Sequence, residues 1–599
     1  MVKSRFNKNI IASMLILFVV MMVTAILGDY FFDLNDDCLM KDILSGSYTG
    51  TPEGNNIQML YPISLCLSLF YRISRAVDWY GIFLCFSQYL CIFLIVKRII
   101  SFIPENKNRV LFVSIFISVI LGFYVTHLLY VQYTVVCAFM SATAAFLILT
   151  AESGGIRENI LSVILIIIAF LLRSEMLLLT LPMAGVAIFI KWCITRSQIS
   201  NNDDVSSLGE KKKLFFQYLK LCVVIIAGLL VCSLLNKAGY SRADWKEFNR
   251  LFDNRTELYD FQSIPDYQEH KDFYDSIGLS ESEQKLLVNY NFGLDDEIDA
   301  DLLGEVAEYA KSIRGKEAPV SQRLTDATKN YIYRLHSMSE PASYEYPMTD
   351  FPWNLGIIIL YIGAVIYFVS IRKTKKIWYL VLLFACRSSL WMYIILRGRD
   401  PIRITHPLYY MEILILLAVL MISMEKTSRI IASVAALTVV TGIVSFPAQV
   451  IVIQNEKLIR EEMLAKYREL SDYFEANPDS YYLIDVYTSV SYADAVDYKV
   501  ATYSEKMFEN VNNNFANQDI LGGWASKSPV YYKKLNRAGY SSAEEALLSD
   551  NVYFVQTVEK DTKWLEDYYL EKGQKVEPVK IKTIADVFVI YHLDKANED

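Results

Sequence analysis

"IIASMLILFVVMMVTAILGDYFFDLNDDCLMKDILSG", Ile10 to Gly46, joins an apolar run to five aspartates with no linker between them. The first part, Ile10–Leu27, is long enough to cross a bilayer. The second places Asp29, Asp33, Asp36, Asp37 and Asp42 where that helix emerges. No small-residue cleavage site follows the run, so it reads as a retained first span, not a removed signal. Leu39, Met40, Ile43 and Leu44 recur at helical spacing, with Asn35 or Asp36 as candidate caps and Gly46 as terminator. This predicts a short helix lying on the membrane, its acidic start beside the end of the first span. On local grounds Asp36 is an N-cap worth about 1 kcal/mol, and Asp37 favours the helix dipole. Crowding adds chemistry. Carboxylates held close raise one another's pKa, and one of them then serves as a general base near neutral pH.

Ten further apolar runs follow: Tyr80–Val96, Val110–Thr126, Leu128–Thr150, Ile160–Leu172, Met176–Ile190, Phe215–Leu235, Trp353–Ile371, Ile377–Leu396, His406–Met424 and Ile430–Val452. The fifth and sixth runs of the chain are parted only by Arg173-Ser174-Glu175 and also read as one bent hairpin. Basic residues gather in alternate loops: Lys3, Arg5 and Lys8; Lys97, Arg98, Lys107 and Arg109; Arg157; Lys191, Arg196 and Lys211–Lys213; Arg372, Lys373, Lys375 and Lys376; Lys426 and Arg429. Positive charge marks the cytoplasmic side. The N-terminus is then cytoplasmic, and the Asp29 loop, the Lys237–Pro352 segment and the C-terminal region face outward. Ile57–Ser74 is apolar enough to span, but a crossing there would put Lys97, Arg98, Lys107 and Arg109 outside. It reads as an interfacial helix with Pro62 near its start.

The predicted fold is an α-helical polytopic membrane protein of about eleven transmembrane helices, with a helical outer insertion and a small C-terminal α/β domain. The boundaries are 1–236 for the N-terminal membrane module (first outer loop 28–79), 237–352 for the cap, 353–453 for the C-terminal membrane helices and 454–599 for the outer α/β domain. Helical stretches lie around Glu281–Tyr290, Asp299–Ser312 and Ser321–His336, and Asn455–Ala476 continues the last span as an amphipathic helix. "YYLIDVYT", "NVYFVQTV" and "ADVFVIYHL" are β-rich runs. At 53% hydrophobic and net charge −8, with no basic patch, the chain is no nucleic-acid binder. Its five His include no H-E-x-x-H and its nine Cys no CxxC, which excludes the usual zinc and disulfide frameworks.

"LRGRDPIRITHPLYYMEI", Leu396–Ile413, carries Arg397, Arg399 and Arg403 on the outer side, against the charge trend. Guanidinium forks suit a phosphate; the competing reading is an interface anchor or pairing with Asp400 and the cap's acids. Arg173 and Glu175 sit at another outer edge, where they either serve function or pair. Arg387 lies inside a span, and intramembrane charges are functional candidates. His127 and His406, near outer helix ends, read as structural, although His406 also joins Asp33, Glu53, Tyr61 and Arg72 as candidates for a cleft wall.

An acidic pair in the first outer loop, interface-helix candidates at Asp42–Leu44 and Ile57–Ser74, and a soluble outer domain together resemble the GT-C glycosyltransferases. These polytopic enzymes use polyprenyl-phosphate-linked sugars. The resemblance covers the membrane part, about three-quarters of the chain, and the Lys237–Pro352 insertion departs from it. It implies an inverting transfer. Asp36 or Asp37 takes the proton of an acceptor hydroxyl, which attacks the anomeric carbon. Arg397, Arg399 and Arg403 hold the departing lipid phosphate. The implied partners are a polyprenyl-phosphate sugar, the bilayer, and a cell-envelope glycan, lipid or protein acceptor. No cofactor is called for, and a divalent cation stays open. Two alternatives compete: a transporter or flippase for a lipid-linked saccharide, expected to show repeats and broken helices, and a non-enzymatic envelope assembly protein.

Overall fold

The computed structural model describes residues 2–200, 207–317, 319–338, 350–424, 428–492, 503–509 and 515–595. Lys426, one of the orienting basic residues, lies outside them. The chain starts with α1 (Val2–Leu27), β1 (Phe31–Phe32), α2 (Asn35–Ser45), α3 (Tyr61–Ile73) and α4 (Trp79–Phe102). Next come α5 (Asn106–Val119), a π turn at Ile120–Tyr124, α6 (Val125–Leu129), β2 (Tyr130–Val131), α7 (Tyr133–Leu149), α8 (Ile156–Leu172), α9 (Ser174–Ser200) and α10 (Ser207–Gly239). The cap is α11 (Ala243–Phe261), α12 (Lys271–Ile277), α13 (Glu281–Val288), α14 (Ala300–Glu317) and α15 (Val320–His336). The bundle resumes with α16 (Trp353–Ser370), α17 (Ile377–Leu396), α18 (Ile402–Ser423) and α19 (Arg429–Ala476). The outer domain holds β3 (Tyr481–Ile484), α20 (Val486–Val490), β4 (Gln518–Ile520), α21 (Pro529–Arg537), α22 (Ala543–Leu547), β5 (Val552–Thr557), α23 (Lys563–Glu571), β6 (Val576–Ile584) and β7 (Phe588–Lys595).

Among the described residues nine helices are long and apolar enough to cross a membrane. Adding α7 and α8, of 17 residues each, every apolar run found in the sequence contains a long helix. Leu, Ile, Val and Phe outside the bundle's contacts remain exposed in rows: Met14, Leu15 and Phe18 on α1, Val223, Ile226 and Leu230 on α10, Val440, Ile443 and Val444 on α19. Such rows would be costly in water and fit a lipid-facing surface. Inside that ring α7 is buried at every residue, and α18 is buried nearly all round and packs along it.

One detail corrects the sequence reading, and two others decide or trim what it gave. The run Leu128–Thr150 is broken, because Tyr130–Val131 leave the helix to pair in parallel with Phe31–Phe32. Gln132 then caps α7, accepting the N–H groups of Thr134 and Val135. The fifth and sixth runs are two helices: Arg173 is extended between α8 and α9, and both pack on α7. Ile57–Ser74 contracts to α3, 13 residues and about 20 Å long, too short to span.

The bundle's ends are chemically distinct. Arg98 donates to the Thr150 carbonyl at 3.3 Å, and the Glu158 carboxylate acts on both Arg98 and Lys191. Basic residues of two alternate loops thus meet the Glu158 carboxylate of a third at one end. The acidic loop and the water-facing parts occupy the other.

α19 crosses α5 at the π turn with backbones almost touching. A Cβ on Gly122 would lie 2.5 Å from the Gly442 Cα, and one on Gly442 would lie 2.9 Å from the Ser118 carbonyl oxygen. Small residues allow such close crossings in membranes. Gly122→Ala is expected to push α19 off α5 and cost roughly 1–3 kcal/mol, read as a lower thermal midpoint in detergent. An unchanged midpoint would show that the crossing is loose.

α19 runs on as a 48-residue helix and carries the outer domain on its far half. There the strand order is β4-β3-β5-β7-β6, with β4, β3 and β5 parallel and β7 antiparallel to both β5 and β6. The domain is bound to the first loop by a buried ion pair of Lys41 with Glu505, which Asp42 joins at 3.1 Å.

Candidate active site

The first loop is held rigidly. β1 pairs with β2, and one residue later Asp33 meets Arg460 of α19 at 3.0 Å. Arg460 also donates to the carbonyl oxygens of Phe32 (3.2 Å) and Asp33 (2.9 Å) and to the Ser504 hydroxyl (2.8 Å). Its guanidinium lies 4.7 Å from the Tyr130 ring. Burial raises the Asp33 carboxyl above the usual range, while Arg460 and Arg403 pull against it.

α2 starts at Asn35, after an extended Leu34 that makes no side-chain cap. Neither Asn35 nor Asp36 therefore caps the helix; both lie in its first turn, with Asp37. Gly46 ends it in the left-handed region, as its position predicts. Successive residues on a helix point about 100° apart, so the two adjacent acids have different surroundings. Asp37 is fully buried. Its Oδ1 accepts the Tyr80 hydroxyl at 2.8 Å and the Tyr133 N–H at 3.3 Å, and its Oδ2 has no hydrogen bond. Burial pushes its carboxyl well above the usual range, with Asp36 and Asp33 adding repulsion. Asp36 is only half-buried, and its Oδ1 accepts the indole N–H of Trp524 at 3.0 Å.

Tyr133, at the start of α7, stands amid these charges: Arg173, Asp36, Asp37 and Arg403 all act on it. Arg173 reaches in from between α8 and α9. It donates to the Gln58 side chain at 2.6 Å, pairs with Glu175 at 3.2 Å and lies 5.2 Å from the Tyr133 ring. Arg403, in the first turn of α18, is half-buried, and its charge acts on Asp33 and Tyr133. Among the described residues no hydrogen bond or ion pair engages its guanidinium.

The three arginines of Leu396–Ile413 do not act as one group. Arg397 lies 3.8 Å from Glu257 and over the Phe261 ring at 4.0 Å. Arg399 pairs with Asp260 at 3.1 Å. Arg399 is committed to cap helix α11, which is the pairing reading; Arg397 approaches that helix without a hydrogen bond, its buried Nε having none, and among the described residues Arg403 has neither hydrogen bond nor ion pair. Four other candidates lie apart from the acids. Glu53 pairs with Lys533. Tyr61 packs on Gly239 and Tyr240, and Arg72 donates to the Pro52 carbonyl at 3.4 Å. His406 is buried against His127 at 2.9 Å and beside the Trp353 ring at 5.3 Å. Glu175 is largely exposed beyond its contact with Arg173.

Three residues join the site unannounced. Arg460 and Trp524 have been described. The third is Arg255 on α11, which donates to the Tyr290 hydroxyl, has a buried Nε without a hydrogen bond, and feels the charges of Asp260 and Asp36. A lone tryptophan after "GG" was the one available sequence signal for Trp524; nothing local marks the two arginines.

Elsewhere Glu283, Asp295 and Glu297 are spaced as a metal could require. The Lys572 ammonium already bridges all three, at 3.1, 3.0 and 2.6 Å, and ties the cap to the outer domain.

No family model matches the chain, and no curated protein does. Two solved structures are similar in outline, both of ArnT from Cupriavidus metallidurans. The apo form has a TM-score of 0.38 at 9% identity, over 96% of this chain and 97% of that one. The form bound to undecaprenyl phosphate has a TM-score of 0.36 at 9% identity, over 97% of each chain.

Proposed function

We propose that this protein is a membrane glycosyltransferase of the GT-C type, moving a sugar from a polyprenyl-phosphate donor to an extracytoplasmic acceptor. One observation carries the reading: a half-open carboxylate, Asp36, and an unengaged guanidinium, Arg403, share the environment of Tyr133 at one end of a lipid-facing bundle. A nucleophile's base and a leaving group's anion site are what inverting transfer needs. The donor's prenyl chain lies among the exposed apolar helices and its phosphate meets Arg403, with Arg173 and Arg255 behind it. Asp36 removes the proton of the acceptor hydroxyl. The hydroxyl oxygen bonds to the anomeric carbon from one face as the carbon–oxygen bond to phosphate breaks on the other. The phosphate leaves with the electron pair, its charge balanced by the arginines. The oxocarbenium character of the transition state follows the analogy with glycoside hydrolysis.

In this reading Asp36 is the base and Asp37 a positioning residue, a choice supported by the half-burial of Asp36 and the full burial of Asp37. The basic end of the bundle is cytoplasmic, and the cap and the outer domain are extracytoplasmic.

Transport, the second reading, draws on the charged pair Arg387–Glu412 inside the bundle. Hydrogen bonds to the Tyr331 and Tyr361 hydroxyls, at 2.6 and 2.7 Å, close that pair off. Both side chains are almost wholly inaccessible, which leaves a substrate no way to reach them.

The test is binding of undecaprenyl phosphate and transfer from a panel of undecaprenyl-phosphate sugars in reconstituted membranes. Arg403→Gln is expected to weaken binding by about 10–100-fold, the worth of a charge-assisted hydrogen bond. Equal binding in the variant would remove Arg403 from the site, and no transfer from any donor would remove the enzymatic reading.

A further inference from the structure

A cavity of about 440 Å³ opens behind α2, on the side away from Asp37 and the Tyr133 cluster. Asn35, Cys38, Leu39 and Asp42 form one wall; they are spaced 3, 4 and 7 residues from Asn35 and so share one helix face. The outward half of α19 forms the second wall, through Tyr467 and Ser471 among others. The third is the C-terminal ends of the parallel strands β3 and β4, at Ile484 and Ile520. In open α/β sheets ligands settle outside the carboxyl ends of strands, and the volume is in the range of small-molecule sites.

The lining has a definite chemistry. Tyr48, Tyr467, Tyr503 and Phe515 supply aromatic surface. Gln518, Asp42, Asp519 and Lys534 supply acceptors and donors among them. Lys534 lies 3.8 Å from the Tyr48 ring and 3.4 Å from Asp519, which also accepts the Tyr48 hydroxyl at 2.9 Å. The buried ammonium of the lining is thus engaged by a buried carboxylate, and a second carboxylate, Asp42, stands beside it. Arg468, the other cation of the lining, is half exposed and pairs with Glu509 at 3.2 Å. An anion finds no free cation there. A pyranose ring presents an apolar face of C–H groups to aromatic rings and a rim of hydroxyls that donate and accept at once, which fits carboxylate, amide and ammonium together.

The cavity and the base share a thin wall. Asn35 lines the cavity while Asp36 faces the arginines; Ala525 lines the cavity while Trp524 donates to Asp36. We propose that this cavity is a saccharide-binding subsite for the acceptor, anchoring one neutral sugar unit of an extracytoplasmic glycan so that a neighbouring unit reaches Asp36. The proposal rests on the glycosyltransferase reading and narrows its acceptor to a glycan.

The test uses the full chain in nanodiscs, titrated calorimetrically with neutral mono- to trisaccharides and with acidic saccharides as the contrast. Ser471→Trp would fill the cavity from α19, and Gln518→Ala would remove an amide from edge strand β4. Wild type is expected to bind at least one neutral saccharide better than the acidic ones. Ser471→Trp should abolish that binding, and Gln518→Ala should weaken it by up to about tenfold. Undecaprenyl phosphate binding should be unchanged in both variants, which also reports that they fold. In transfer assays the acceptor KM should rise with donor KM unaltered. No saccharide binding by wild type, or binding equal in both variants, overturns the cavity proposal even where donor transfer is intact. Absence of transfer from every donor with saccharide binding intact would instead strike the glycosyltransferase reading on which the acceptor role rests.

Discussion

Asp36→Asn should lower the transfer rate by about 10²–10⁴-fold, the usual contribution of a general base, while the protein folds as before. The amide oxygen of the new side chain can still accept the Trp524 indole at the 3.0 Å position, so the first loop keeps its contact with the outer domain. Asp37→Asn should behave in the opposite way. Asp37 is fully buried, its Oδ1 is occupied by Tyr80 and Tyr133, and no acceptor hydroxyl can reach it. Activity should stay close to wild type, with a stability change of order 1–3 kcal/mol because the new amide N–H group meets no acceptor at the Oδ2 site. The two variants also differ in pH dependence. Burial raises the Asp37 carboxyl in the folded state, so the fold holds that proton more tightly than the unfolded chain does. Stability from this group is complete below the ordinary aspartate range and falls as pH rises through the folded value. Asp37→Asn removes that fall, so its thermal midpoint should depend less on pH above about 4 than wild type's does. If Asp37→Asn abolishes transfer and Asp36→Asn does not, the roles are reversed.

Why one acid is open and the other closed was not legible in "NDD". Adjacent residues of a helix look alike in sequence, and only the partners on either side distinguish them. Those partners are distant in the chain: Tyr133 closes over Asp37 from 96 residues away, and Trp524 reaches Asp36 from 488 residues away. Arg460 braces Asp33 across 427 residues. The cluster Arg397, Arg399 and Arg403 was legible as charge set against the trend of the other loops. Its division of labour was not, because Glu257 and Asp260 come from an insertion whose docking no local pattern announces.

The outer sheet shows the same logic at the level of the fold. The three β-rich runs found in the sequence hold β3, β5 and β7, the central strands, although the second half of "YYLIDVYT" turns into α20. β3, β5 and the first half of β7 are mostly buried on successive residues and so favour continuous apolar stretches. The two strands that went unread are its edges. β4 has three residues, and β6 carries Glu577, Pro578, Lys580 and Lys582. Short length, charge and proline are how edge strands avoid pairing with other chains, and they also erase the hydrophobic signal. The membrane helices lay at the other extreme. Every apolar run became helix over most of its length, because a bilayer leaves the backbone few other ways to satisfy its hydrogen bonds, and the one break, at Tyr130–Val131, pairs its backbone with Phe31–Phe32.

The second large effect lies inside the bundle, where Arg387 of α17 and Glu412 of α18 pair at 3.0 Å with both side chains essentially inaccessible. Tyr361 donates to Glu412 at 2.7 Å, and Arg387 donates to Tyr331 at 2.6 Å. The guanidinium also lies about 5 Å from the Trp391, Tyr331 and Tyr409 rings. One charge pair thus gathers α16, α17, α18 and cap helix α15. Removing one partner leaves the other charge buried and alone, so Glu412→Leu should cost roughly 3–5 kcal/mol, and Arg387→Met a similar amount. The double variant should recover most of that loss, because an apolar pair of similar volume carries no desolvation penalty. Its donor affinity should follow its stability, since α18 carries Arg403 less than three turns above Glu412. Thermal unfolding in nanodiscs with undecaprenyl phosphate present and absent reads both effects. A double variant as unstable as the singles would mean that the tyrosine hydroxyls, not the charges, hold these four helices together. A stable double variant that no longer binds undecaprenyl phosphate would mean that Arg387 and Glu412 set the position of Arg403, giving a pair buried far from the acids a part in donor recognition.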